Sequence, residues 1–119
     1  MDIFEYKEKL NFLLGKNVKV YIDRQIGSTH PKHNSLIYKQ NYGYIKELIA
    51  LDGEYQDAYV IGIEDKLTEF YGKVIAIINR TNDIEDKLIV CDVNKNYSDE
   101  EIKQFVHFQE QYFDYKIIR

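Results

Sequence analysis

The sequence predicts a mainly β (α+β) domain, in which one helix precedes and one helix follows a small antiparallel barrel or sandwich. Short segments rich in β-branched and aromatic residues recur in the middle of the chain, separated by loops of about 5–15 residues with Gly, Asn or Asp. Eleven Tyr and six Phe, with no Trp, supply side chains that suit a pleated, half-buried surface. The 119 residues are the length of one domain, so we expect 1–119 to form a single unit.

Helical patterns are confined to the two ends of the chain. A loose apolar face within residues 1–15, closed by Gly15, predicts a short N-terminal helix. Ser98 and Glu101 form a capping box, and the apolar residues that follow at helical spacing predict a helix over 98–113 with an aromatic face. Between the helices, over 18–92, five or six strands are predicted, at 18–22, 36–38, 43–49, 56–63, 73–79 and 87–92.

Charge and composition exclude several classes of protein. A net charge of −4 argues against a general nucleic-acid binder, which needs a basic face. The single cysteine, Cys91, follows an apolar run, so we expect a buried, reduced thiol. No apolar run reaches the roughly 18–20 residues of a membrane span, and the acidic N-terminal segment does not resemble a signal peptide. We therefore expect a soluble, cytoplasmic protein with no membrane partner.

Two acidic turns are the strongest candidates for chemistry. Asp52, Glu54 and Asp57 fall where one predicted strand turns into the next, and three carboxylates this close favour a divalent cation. Taken alone, Asp-Gly at 52–53 is also typical of a plain hairpin turn. A second cluster, Asn-Asp-Ile-Glu-Asp at 82–86, is by itself an ordinary polar loop. If both turns lie at one end of a barrel, their carboxylates would hold two or more Mg²⁺ ions, or Mn²⁺ as the alternative, and such clusters serve phosphoryl chemistry.

Several motifs together resemble the soluble, family I inorganic pyrophosphatases. Asn-Tyr-Gly-Tyr-Ile at 41–45, followed after six residues by Asp-Gly-Glu-Tyr-Gln-Asp-Ala at 52–58, is similar to that family's core pattern with the same spacing. Supporting matches are the segment 22–28 ending in Gly-Ser, Lys-Leu-Ile-Val at 87–90, and His-Phe-Gln-Glu-Gln-Tyr at 107–112. The resemblance covers residues 18–113 in order. It implies a five-stranded OB-like barrel and Mg²⁺-dependent hydrolysis of inorganic pyrophosphate or a small phosphoanhydride.

The resemblance also implies roles for individual residues. Glu54 takes the position of the acid that helps to deprotonate the attacking water, with Asp57 and Tyr42 as the other catalytic residues. The implied metal ligands are Asp23, Asp52, Glu54, Asp57, Asp83 and either Glu85 or Asp86. The implied phosphate contacts are Tyr42, Lys87 and Tyr112, with Arg24, His30, Lys32 and Arg80 as candidate replacements for basic residues that this sequence lacks.

The departures from the family pattern keep alternatives open. The family has Asp where Glu54 stands, and one extra methylene shifts the proposed base by about 1 Å, which predicts weakened activity. The alternatives are a non-catalytic OB-like binding module, whose aromatic residues would stack bases, and a degenerate pyrophosphatase homologue with a structural role. The oligomeric state stays open, with a homo-oligomer among the choices.

Overall fold

The computed structural model describes residues 1–119 and contains two helices and six strands. In chain order these are α1 (Ile3–Phe12), β1 (Asn17–Arg24), β2 (Asn41–Ile49), β3 (Tyr55–Val60), β4 (Glu69–Arg80), β5 (Asp86–Cys91), α2 (Asp99–Glu110) and β6 (Tyr115–Ile118). Neither helix is long and apolar enough to cross a membrane.

Five of the strands close into a barrel. Their spatial order is β1-β2-β3-β5-β4, and β1 pairs again with β4, where Asn17 lies opposite Lys73 and Tyr21 opposite Glu69. All of these pairings are antiparallel except that between β3 and β5. The predicted fold class is therefore confirmed: an OB-like five-stranded barrel, mostly β, with one helix on each side of it in the chain.

The core consists of two layers because strand residues alternate between the inside and the outside of the barrel. The inner layer holds residues such as Val20, Ile45 and Val90, and α1 adds Tyr6 and Leu10 to it. The outer layer lies between the barrel and α2 and holds twelve buried residues, among them Tyr59, Ile89, Cys91, Ile102 and Val106. Every residue of β5 is buried, since one face lines the barrel interior and the other contacts α2. The Cys91 thiol is free and buried, as expected.

Some elements differ from the sequence predictions. Residues 36–38 do not form a strand, because only one isolated bridge joins Ile37 to Thr29. The strand β4 begins at Glu69, and its first half pairs with β1. The second half of β4 pairs along its other edge with β6, a strand that the sequence did not predict. In this pairing Ile77 lies opposite Ile118. The C-terminal helix ends at Glu110, three residues before the predicted end, and the chain then turns toward β6.

Gly43 permits a close approach of β1 and β2. A Cβ atom at this position would lie 1.8 Å from the backbone oxygen of Tyr21, so no other residue fits without moving a strand. The neighbours of Gly43 in β2 are Tyr42 and Tyr44, whose side chains point away from the barrel interior. The glycine therefore fixes two outward-facing tyrosines beside β1.

Candidate active site

A cavity of about 720 Å³ lies on the outer side of the barrel, between β2, β3 and β5, the end of α2 and the loop that follows β1. Of the fourteen residues that the sequence proposes for the site, eleven line this cavity. They are Asp23, Arg24, His30, Lys32, Tyr42, Asp57, Arg80, Asp83, Glu85, Lys87 and Tyr112. Residues spread over 90 positions of the sequence, from Asp23 to Tyr112, thus surround one space.

The strand register brings the central side chains together. Gly43, Ala58 and Leu88 lie opposite one another on β2, β3 and β5, and the last two face the barrel interior. Their neighbours Tyr42, Asp57 and Lys87 consequently point outward, since successive residues alternate across a strand. The cavity is therefore built on three adjacent strands, which hold its floor rigidly.

Lys87 lies between two carboxylates at the floor of the cavity. Its Nζ atom is 2.6 Å from Oδ2 of Asp57 and 3.1 Å from Oε2 of Glu85. The Lys87 side chain is 4% exposed, whereas the two carboxylates are about one-third exposed, 34% and 36%. The Lys87 ammonium group is thus shielded from water, and the carboxylates of Asp57 and Glu85 balance its charge on the side that faces the cavity. This pairing joins the two turns that the sequence marked as acidic.

Arg80 forms the second ionic centre. Its Nε and Nη2 atoms donate to the two carboxylate oxygens of Glu110 at 2.9 and 2.8 Å, and Glu110 is completely buried. Tyr59 donates a third hydrogen bond to that carboxylate at 2.6 Å. On the cavity side, Nη1 of Arg80 contacts Glu85 at 3.1 Å and Asp83 at 3.6 Å. Burial acts to lower the pKa of Arg80, but the hydrogen bonds and charge of Glu110 outweigh it and raise the pKa.

Glu110 is a site residue that the sequence did not indicate. The only hint is its partner, because an arginine at the end of the apolar strand β4 needs a buried acceptor. Gln109 beside it links two further phenols, since its Oε1 accepts from Tyr38 at 3.0 Å and its Nε2 donates to Tyr59 at 2.6 Å. The end of α2 therefore anchors the cavity through polar side chains, while the predicted aromatic face packs on the barrel through Phe108, whose ring meets those of Tyr38 and Tyr59 edge-on.

Two phenols lie near the charged groups, Tyr42 as a hydrogen-bond donor and Tyr38 as the acceptor that holds Arg24. Burial raises the pKa of Tyr42 well above its usual value, and the negative charge of Asp57 raises it further. Tyr42 is therefore a neutral O–H donor at physiological pH. Arg24 donates from Nη1 to the hydroxyl of Tyr38 at 2.7 Å, which fixes its guanidinium at the cavity wall.

The loop after β1 brings a further cation, Lys32, and two histidines to the cavity. Lys32 and His33 line the cavity next to His30, whose ring centre lies 5.0 Å from that of His33. Partial burial lowers the pKa of His30, and the charges of Arg24 and His33 lower it further. In addition, Nδ1 of His30 accepts a hydrogen bond from the Lys32 amide at 3.0 Å, which requires that this nitrogen carry no proton. The imidazole is therefore neutral at pH 7.

Three of the proposed residues do not line the cavity. Asp86 is 4% exposed and accepts hydrogen bonds from Lys7 and, at 2.7 Å, from Asn79, so its carboxylate is held by α1 and β4. Asp52 uses Oδ1 to accept from the Glu54 amide at 3.0 Å, as in a tight turn. Asp52 and Asp86 line a narrow cleft of about 10 Å³ on the other side of Asp57 and Glu85. Glu54 is exposed and lines neither space.

The donor chemistry can be compared with that of a magnesium site. Carboxylate oxygens are the ligands that Mg²⁺ prefers, but no group of three or more acidic, histidine or cysteine side chains is placed to hold a metal ion. The position between Asp57 and Glu85 that a cation would take is filled by the Lys87 ammonium, and Arg80 contacts Glu85 and Asp83. In this arrangement the residues do not fit two or more Mg²⁺ ions.

Solved structures with the same fold are inorganic pyrophosphatases. The enzyme from Neisseria gonorrhoeae superposes with a TM-score of 0.63 at 16% identity, over 82% of this chain and 74% of that one. The Helicobacter pylori enzyme gives 0.62 at 15% identity, over 87% of this chain and 84% of that one. For the Ehrlichia chaffeensis enzyme the values are 0.61, 15%, 87% and 85%.

These similarities are structural rather than sequential. No protein-family model matches the sequence, and no curated protein is similar enough in sequence to match it. Identities of 15–16% over more than four-fifths of the chain indicate a shared architecture. The barrel and its flanking helices therefore have a pyrophosphatase-like fold.

Proposed function

We propose that this protein binds inorganic pyrophosphate, or another small phosphoanhydride, in the cavity and hydrolyses it. The observation that carries the proposal is the convergence of four cationic side chains, Arg24, Lys32, Arg80 and Lys87, with carboxylates and phenols in one space on a pyrophosphatase-like fold. A diphosphate carries several negative charges, and fixed guanidinium and ammonium groups are the side chains best suited to hold it.

Each group of cavity residues has a proposed role that follows from its chemistry. Once Asp57 and Glu85 have separated from them, Lys87 and Arg80 at the floor would neutralise the charge that moves to the leaving phosphate. Arg24 and Lys32 at the wall would hold the other phosphate. Tyr42 would donate its phenolic hydrogen to a phosphoryl oxygen. Asp57, directly beside Lys87, is the carboxylate available to orient or deprotonate the attacking water. Dependence on Mg²⁺ or Mn²⁺ is proposed on the sequence resemblance, and it requires Asp57 and Glu85 to separate from Lys87.

The direct test is release of phosphate from pyrophosphate in the presence of Mg²⁺ or Mn²⁺. We expect turnover in the unmodified protein and a loss of at least about 100-fold in Asp57→Asn, because a positioned acid or base contributes a factor of this order. Asp65→Asn is the matched control, since Asp65 is exposed and lies outside the cavity. Absence of turnover in both metals, on pyrophosphate and on other phosphoanhydrides, would reject hydrolysis.

A second candidate function is favoured by one specific observation. The carboxylates are already neutralised by Lys87 and Arg80, and Glu54, the residue at the position of the family's base, lies outside the cavity. A degenerate homologue that binds a diphosphate without cleaving it would have this arrangement. Calorimetric binding of pyrophosphate with no release of phosphate would identify this second function, whereas turnover would exclude it.

A further inference from the structure

A row of three tyrosines lies beside the cavity on the outer face of the barrel. Tyr21, Tyr44 and Tyr55 belong to β1, β2 and β3, and each is two residues along its strand from a residue that lines the cavity. Alternate residues face the same side of a strand, about 7 Å apart for a spacing of two. The pairing of Tyr44 with Asp57 across β2 and β3 places the middle ring next to the cavity floor.

The three rings form one stack. The centres of Tyr21 and Tyr44 are 5.6 Å apart with planes inclined at 20°, and those of Tyr44 and Tyr55 are 5.4 Å apart at 8°. None of the three belongs to either buried core layer, and Tyr55 is 43% exposed. Tyr21 and Tyr44 are half-buried. The stack is therefore an aromatic surface at the edge of the cavity that is most open to solvent at Tyr55.

Two lysines give the row a positive rim. The ammonium groups of Lys19 and Lys46 lie 4.7 and 4.4 Å from the ring centre of Tyr21. Lys19 also forms an ion pair with Glu69 at 2.9 Å, whereas Lys46 has no carboxylate partner within 4.0 Å. An aromatic surface with an unpaired cation suits a planar, π-rich group attached to an anion.

We propose that this tyrosine row binds the base of a nucleoside diphosphate or triphosphate whose phosphates occupy the cavity. The proposal rests on the proposed function only in that it takes the cavity as the phosphate site. Tyr55 lies two residues, about 7 Å, along β3 from Asp57, which contacts Lys87, so a base linked to phosphates on Lys87 would reach the end of the stack and lie on Tyr55. Tyr44, which stacks on Tyr21 and Tyr55, would hold the Tyr55 ring in place. Bases stack on aromatic side chains without need for a matching hydrogen-bond pattern. The substrate class is thereby extended from free pyrophosphate to nucleotides.

The simplest competing explanation is that the tyrosines only stabilise the sheet, as cross-strand aromatic pairs do. Binding measurements with two inert probes separate the explanations: methylenediphosphonate, which has the phosphates alone, and α,β-methylene-ADP, which adds the nucleoside. We expect the unmodified protein to bind the nucleotide probe about tenfold more tightly by calorimetry, the gain of one stacked base. In saturation-transfer NMR, the adenine protons should receive the strongest transfer.

Variants of the row then test its role directly. Tyr44→Leu and Tyr55→Leu should lose the preference for the nucleotide probe while their affinity for methylenediphosphonate stays unchanged. Tyr71→Leu is the matched control, because Tyr71 is 70% exposed on β4 and lies outside the stack, and it should keep the preference. Melting curves by circular dichroism show that each variant is folded, and Tyr55→Leu, at the exposed end of the row, serves alone if Tyr44→Leu does not fold.

The outcomes also separate this inference from the proposed hydrolysis. Equal affinity for the two probes in the unmodified protein, no binding of either, or a preference that survives in both leucine variants would overturn the nucleotide site. If the two probes bind equally tightly and pyrophosphate is hydrolysed, the proposed function holds and the nucleotide site is rejected. If the nucleotide preference depends on the tyrosines but no phosphoanhydride is cleaved, the site stands and hydrolysis falls.

Discussion

Arg80 and Glu110 form a two-pronged ion pair that joins β4 to the end of α2, with both nitrogen–oxygen distances under 3 Å, at 2.9 and 2.8 Å. Both residues are buried, so neither charge can turn to water if the other is removed. The pair also orients Arg80, whose remaining nitrogen faces the cavity. It therefore links the stability of the fold to the proposed anion site.

Glu110→Gln should destabilise the fold strongly. Removal of the Glu110 charge leaves the buried Arg80 guanidinium with only the partly exposed carboxylates of Glu85 and Asp83 as counter-charges. Breaking a buried ion pair in this way costs about 3–5 kcal/mol of unfolding free energy. Denaturant unfolding measures the loss. The control is Glu100→Gln. The Glu100 side chain is 81% exposed and forms a long surface ion pair of 3.6 Å with Lys103, so this variant should change the free energy of unfolding by less than about 0.5 kcal/mol. Equal losses in the two variants would contradict the role given to the buried pair.

Lys87→Met should make the protein sensitive to divalent cations. Without the ammonium group, the carboxylates of Asp57 and Glu85 repel each other, and the melting temperature should fall. Millimolar Mg²⁺ or Mn²⁺ should then raise the melting temperature of the variant by about 4 °C or more, because a ligand of the folded state stabilises it. The unmodified protein should respond much less. Lys32→Met, which removes a cavity lysine that has no ion pair, is the control.

Anion binding should depend on the protonation of His30. Its pKa lies below the usual value near 6.5, so the ring is neutral at pH 7 and gains its positive charge only as the pH falls below that value. A bound diphosphate favours the charged form, and affinity should therefore rise as the pH is lowered from 7 to 5.5. His30→Gln should show a smaller rise. Since protonation of the anion itself is common to both proteins, parallel pH profiles by calorimetry would refute the contribution of His30.

Gly43→Ala should disrupt the contact of β1 with β2. The new methyl group would lie 1.8 Å from a backbone oxygen, and separation of the strands should cost about 3 kcal/mol or more. Gly53→Ala provides the comparison, because Gly53 has a φ of +87° but empty space around it. The loss there is limited to backbone strain, about 1–2 kcal/mol. If thermal unfolding gave similar losses, the close approach of the strands would not be the determining feature.

The parts of the molecule that depend on local sequence were the predictable ones. The capping box was found as expected, since Ser98 Oγ accepts from the Glu101 amide at 3.2 Å and Glu101 returns the bond at 2.9 Å. Five strands were recognised because the barrel imposes alternation or continuous apolar runs. The strand β6 escaped because its four residues pair only with an edge that exists after the barrel has closed.

The partners of charged residues were not predictable, because they are distant in the chain. Lys7 contacts Asp86 across 79 positions, and Arg80 contacts Glu110 across 30. The spacing of Asp52, Glu54 and Asp57 was also insufficient to predict which carboxylates meet. Side chains in a turn can point in different directions, whereas a strand fixes the direction of each side chain. Only Asp57, which lies within β3, reaches the cavity.

The position of β5 between β3 and β4 has a consequence for biosynthesis. The hairpins of β1, β2 and β3 can form as soon as they leave the ribosome, but one edge of β3 must wait for β5, whose first residue, Asp86, comes well after Val60, the last residue of β3. Until then the nascent chain carries an unpaired strand edge, which is a site for aggregation. Arg80, Lys87 and α2 also emerge late. The protein therefore completes its proposed anion site only in the last third of its synthesis, although Arg24 and Lys32 are made early.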